Sequence, residues 1–245
     1  MSFSWTRVKA ILVKELNDYR RNRFVMVFTM TLLPLILIVV PTVQLLAAPA
    51  AEASSRLDSR VGLSLLYLLL IPAIVPSMVS AYTVIGEREQ GTLEPILITP
   101  IRREEFLIGK ALAILIPTLV VAYAIFGTFL AVAALFAHPG MRSAIFAGSH
   151  IPVQVVFTPL LAGWSIWVGI AISARSSDVR VAQQLSVFAN LPPVAIVALM
   201  GFNVITPSTG LAVGLAAALL TVDALGWRAV AAMFDRERLI AGARS

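Results

Sequence analysis

The chain has 245 residues, 59% of them hydrophobic and only 13% charged, with a mean hydropathy of +0.90. Soluble domains carry about half apolar and about a quarter charged residues, so a water-soluble globule is excluded and the bilayer is the expected solvent. The net charge of +6 sits in short segments between apolar runs, which argues for membrane topology and against nucleic-acid binding, and the lack of cysteine excludes disulfides and thiolate metal sites.

Residues 1–23 predict an amphipathic helix. Trp5, Val8, Leu12, Leu16 and Tyr19 recur at three- and four-residue steps, with Arg7, Lys9, Lys14, Asn17, Asp18 and Arg21 around the rest. Such a helix lies in the headgroup layer against anionic lipid. It serves either as a topogenic anchor or as a mechanical element joining the first span to something cytoplasmic. The apolar run that follows is longer than the roughly 7–15 residues of a signal-peptide core. Ala48-Pro49-Ala50 is therefore read as following an uncleaved first span.

A bilayer core of about 30 Å takes roughly 20 apolar residues at 1.5 Å each. Six stretches satisfy this: 24–47, 61–85, 111–137, 153–174, 182–202 and 208–227. Residues 24–234 are thus expected to form a six-helix transmembrane domain, with 235–245 as a cytoplasmic tail. The connection between the last two stretches is short, and a re-entrant segment stays open there. Lys and Arg number 16 in residues 1–23, 86–110, 174–181 and 228–245, against three in the remaining connections. By the positive-inside rule both termini are cytoplasmic. The external connections are short, about 10–15 residues, so no large external domain is expected to select cargo.

The connection over 86–110 mixes both signs of charge with apolar residues, an unusual composition for a passive linker. Thr99 followed by Pro100 is a good helix start. From Pro100 a short helix is predicted, with Ile101, Glu105 and Ile108 down one side. Held at the membrane surface, it would be a docking element.

Within this connection Glu87-Arg88-Glu89, Gly91-Thr92-Leu93-Glu94, Leu97, Thr99-Pro100 and Gly109-Lys110 occur in an order and spacing that resembles the cytoplasmic signature of type-two ABC transporter permeases. The sequence departs from that pattern at Ile96 and Arg102. Lys14-Glu15-Leu16, the segment from Ser173 to Gln184, and Phe234 to Leu239 also resemble the family. The resemblance implies an all-α integral membrane protein with six transmembrane helices, an N-terminal amphipathic interfacial helix and a short cytoplasmic coupling helix. It further implies the membrane subunit of an ABC exporter in the plasma (inner) membrane, paired with a second protomer, identical or related. A separate ATPase subunit would hold ATP and Mg and dock on Glu87, Arg88, Glu89, Thr99, Arg102, Arg103, Glu104 and Glu105. The sequence itself contains no G-x-x-x-x-G-K-[ST] phosphate loop: Glu104 stands five places before Gly109, and Ala111 follows Lys110. No nucleotide or other cofactor is expected on this chain.

Polar residues at membrane depth are the remaining candidates. Asp223 reaches for the interface, pairs with a neighbouring helix, or serves substrate or protons. Asn190, before Pro192-Pro193, satisfies carbonyls freed by the prolines or faces the translocation path. Gln44 lies near an outer end and is a further path candidate. His138 and His150 lack a third ligand for a metal site. No catalytic grouping emerges, so the competing intramembrane-enzyme reading has no positive support. A passive channel or scaffold, the other competitor, needs no mixed-charge docking loop. The apolar spans favour an amphipathic or lipophilic substrate.

Overall fold

The structure is a computed structural model that describes residues 3–49, 54–89, 91, 101–146, 150–201 and 209–233. No strand occurs among them, and six helices are long and apolar enough to cross a membrane. The chain is an all-α integral membrane protein.

The N-terminal helix, Trp5–Arg21, buries Val8, Ile11, Glu15 and Tyr19 against the bundle. This face is rotated from the predicted apolar stripe. Val8 and Tyr19 belong to both, whereas Trp5 is 66% exposed and stacks edge-on with Phe3 at a centroid separation of 5.3 Å. An acidic residue, Glu15, takes the place that a purely hydrophobic reading gives to an apolar one.

The first span begins as a π-helix, Phe24–Leu32, and continues as an α-helix over Leu33–Leu46. The wider register is visible in side chains too: Thr31 Oγ1 donates to Met26 O, five residues back, at 2.9 Å. Pro34, which has no N–H to give, stands just where the chain returns to α geometry.

The second span, Ser54–Glu89, is the central pillar. Ile71, Ala73, Val75, Ala81 and Val84 on it have no exposed surface. At 36 residues it is about 54 Å long at 1.5 Å per residue, well beyond the hydrocarbon core. Its last turns therefore project past the apolar layer and carry Glu87 under the N-terminal helix.

The third helix runs unbroken from Arg103 to Phe136. The separate short helix predicted from Pro100 is thus corrected: residues 103–108 are the first turns of the third span, which begins eight residues before its apolar stretch. Thr99 and Pro100 lie outside the described residues. A short helix, Pro139–Phe146, follows where a loop was expected. His138 Nδ1 accepts from Met141 N at 3.4 Å at its start, and Met141 and Ile145, one turn apart, fill the core.

The fourth span is His150–Arg175. The fifth is broken into Val179–Phe188 and Leu191–Gly201 by a turn at Ala189 and Asn190. The sixth, Thr209–Met233, lies at the periphery and buries the least of its surface. The 202–208 connection, where re-entry was left open, and the 235–245 tail lie outside the described residues.

Candidate coupling site

The N-terminal helix crosses the start of the third span at Gly109. A Cβ there would stand 2.8 Å from the Ile11 side chain and 3.2 Å from the Val8 carbonyl oxygen, so only glycine allows the two helices to close. The next residue, Lys110, has no exposed surface. Its ammonium carries three donors, and three acceptors surround it. Glu87 Oε1 lies at 2.9 Å, Glu15 Oε1 at 3.1 Å and Thr83 O at 3.3 Å. The Phe106 ring closes a fourth side, its centroid 5.0 Å from Nζ.

Lys14 joins the same cluster from the outer side, 2.9 Å from Glu15, 3.1 Å from Glu87 and 3.3 Å from Asp18. Two ammonium groups thus sit between the carboxylates of the N-terminal helix and the second span. Burial alone would raise the Glu15 carboxyl, but the charges of Lys110 and Lys14 outweigh it and hold the group below its ordinary range. Burial likewise opposes the charge on Lys14, and Glu15 and then Glu87 more than offset it, so its pKa is raised. Tyr19, packed beneath, is pushed well above its usual value by burial and by the nearby Glu15 and Glu87 charges.

A second fastening lies one and a half turns away. Glu105 is fully buried. Its carboxylate accepts from Ser4 N at 2.7 Å and from Arg7 Nη2 at 2.9 Å on the N-terminal helix. It also accepts from Arg102 N at 3.1 Å, which caps its own helix. Three elements, the N-terminal helix and the facing ends of the second and third spans, are therefore clamped by ionic bonds at one end of the bundle.

The predicted docking residues separate into two groups. Glu87 and Glu105 face inward and hold the clamp together. Arg102 and Arg103 are exposed and Glu104 is partly so, with Arg102 Nε 3.6 Å from the Glu104 carboxylate. Arg88 and Glu89 end the second-span helix, but their side chains lie outside the described residues. Glu15 and Lys110 were not singled out as site residues from the sequence. Both stand inside segments whose pattern drew attention, Lys14-Glu15-Leu16 and Gly109-Lys110, and a charge at the edge of an apolar run was the available signal.

Asn190 lies at the break in the fifth span, 3% exposed. Its own N–H turns to Val187 O at 3.1 Å, and its Nδ2 serves Ser186 O at 2.7 Å. Pro193 has no N–H for the carbonyl four residues back, that of Ala189, and Trp164 Nε1 donates to it instead at 3.3 Å. Nδ2 also meets Ser77 Oγ of the second span at 2.5 Å, while Oδ1 accepts from Ser165 Oγ of the fourth at 2.6 Å. Asn190 thus ties three spans together and repairs a broken backbone. Further along this seam Ser173 Oγ accepts from Val84 N at 3.1 Å and Ile85 N at 3.3 Å.

Asp223 lies against Gly163 of the fourth span. Gly163 and Ser165 are two residues, about 200°, apart on that helix. Asn190 and Asp223 therefore approach opposite faces of the fourth span, and the structure does not bring these two path candidates together. Gln44 is half-buried near the end of the first span, with Oε1 buried and without a hydrogen-bond partner. Among the described residues no group of three His, Cys, Asp or Glu is placed to hold a metal ion.

A six-span helical bundle with charged helix ends clamped at one pole defines a polytopic membrane protein. A family model described as ABC-2 family transporter protein matches residues 9–236, nearly the whole chain. The chain belongs to that family and is a membrane permease of ABC transport. No curated protein matches it closely.

Proposed function

We propose that this chain is the membrane-spanning subunit of an ATP-binding-cassette exporter, which forms a translocation path with a second permease protomer and couples it to a separate ATPase subunit. The observation that carries the reading is the clamp. Glu87 opens the charged connection between the second and third spans and Lys110 closes it, and the two meet 2.9 Å apart beneath the N-terminal helix. A load applied to the connection is delivered to all three elements at once. The exposed Arg102 and Arg103 and the partly exposed Glu104, together with Arg88, Glu89 and Thr99, are the groups offered to the ATPase subunit. That subunit supplies the ATP and Mg site, for which this chain has no phosphate loop.

The excess of Lys and Arg in these connections supports a cytoplasmic position for the clamp and both termini. Closure of paired ATPases around nucleotide then moves rigid bodies beneath the bilayer. Tilting the clamped elements opens or shuts the path between protomers, and the broken fifth span supplies compliance beside it.

Co-expression with a cognate ATP-binding subunit tests this reading. The expected result is co-purification of the two, with ATP hydrolysis that needs both chains and is lowered by Arg103→Ala at unchanged folding stability. A chain that never retains an ATPase subunit, or hydrolysis indifferent to the permease, contradicts it.

A further inference from the structure

The sixth span carries a carboxylate that the clamp does not use. Asp223 rests flat on the fourth span: a Cβ at Gly163 would come within 2.6 Å of its carboxyl carbon and of both oxygens. Oδ1 is buried and has no hydrogen-bond partner, while the residue as a whole stays partly open. The basic side chain nearest along the helix is Arg228, whose guanidinium lies 5.2 Å over the ring of Trp227. One turn further along the same junction the Trp167 ring packs on Gly226, where a Cβ would meet it at 2.8 Å. Asp223 and Gly226 are three apart on one helix, and Gly163 and Trp167 four apart on the other, so carboxylate and indole share one face of the junction.

An unpaired carboxylate at membrane depth is costly, and such groups mark ligand or ion sites. The surroundings decide which cation fits. Calcium and magnesium need six or more oxygen ligands, and among the described residues no group of acidic side chains is placed to supply them. A weakly hydrated organic cation needs a counter-charge and an aromatic face, and it gains most where water is scarce. We propose that the junction of the fourth and sixth spans binds the cationic group of a lipophilic organic cation, with Asp223 as counter-ion and Trp167 as the aromatic wall. The sixth span is the least buried of the six, so the ligand enters from the lipid. The proposal deepens the transport reading by naming a class of cargo, and rests on that reading only for the claim that the bound cation is exported.

Equilibrium binding of radiolabelled tetraphenylphosphonium to the purified full chain in lipid nanodiscs tests the site without any ATPase subunit. The expected result is saturable binding, weakened at least tenfold by Asp223→Asn and several-fold by Trp167→Leu, retained by Asp223→Glu and unchanged by Asp58→Asn. Gly163→Ala, which displaces the carboxyl without removing it, weakens binding as well and replaces Asp223→Asn if that variant does not fold. Neutral triphenylphosphine oxide does not displace the probe. Equal affinity in Asp223→Asn or Gly163→Ala, or equal displacement by the neutral compound, overturns the site. Such a failure leaves the transport reading standing. Binding that is intact without ATP-driven export in the reconstituted complex removes the cargo role instead.

Discussion

Lys110 decides the chemistry of the clamp. Removing one partner of a buried ion pair leaves the other uncompensated, which costs about 3–5 kcal/mol. Lys110→Met should therefore destabilise the chain by about that much, read from chemical denaturation in detergent. Because Glu87 bonds this ammonium directly, adding Glu87→Gln to Lys110→Met should cost less than the sum of the single changes. A coupling of about 0.5–3 kcal/mol between them is the expected size. Arg103→Ala, on an exposed side chain, should shift stability by no more than about 0.5 kcal/mol. The contrast separates residues that hold the junction from residues that meet a partner.

The pH dependence of stability follows from the same groups. Glu15 has a folded pKa below its ordinary 4.5, so its contribution is present above that value and is lost as pH falls through the folded pKa. Tyr19 is held above 10.0. From about pH 10 the unfolded chain gives up that proton first, and stability falls. Lys14 is raised from 10.5, so its contribution is complete below that and lost only at higher pH. Through these three groups folding stability should therefore fall at an acid edge below about pH 5 and at an alkaline edge above about pH 10. Glu15→Gln should remove much of its acid edge.

At the scale of elements, the hydropathy of the spans was legible because twenty apolar residues in a row have few other uses. The start of the third span was not. Residues 103–110 hold four charged side chains and read as a surface segment. Their helicity was predicted, but they run on into the span with Glu105 and Lys110 buried because both find partners on another helix, and no local pattern carries that information. The same long-range pairing explains why Glu15 is buried, so that the face of the N-terminal helix turned inward differs from its most apolar one. Asn190 was legible as a companion of the two prolines, but the carbonyl it serves is that of Ser186 and not one freed by a proline, and its bonds to Ser77 and Ser165 needed the fold. The π-helical start of the first span had no sequence signal. Gly109 gives a prediction at this scale. Gly109→Leu should lift the N-terminal helix from the third span, increasing proteolysis within residues 5–21 relative to wild type. Unchanged protection would mean that the crossing tolerates a side chain.

For the whole molecule, the central claim is that the N-terminal helix and the second and third spans move as one body when a partner ATPase closes. The chain contains no cysteine, so labels can be placed without background. The measurement is a pair of spin-label distances in the reconstituted complex, with and without a non-hydrolysable ATP analogue. One pair joins Lys9→Cys to Phe136→Cys within a protomer, both at exposed positions. The other joins Lys9→Cys to the same site across the two protomers. The account predicts that nucleotide changes the distance between protomers while the distance within each stays fixed. A shift within the protomer at constant separation between protomers would contradict it.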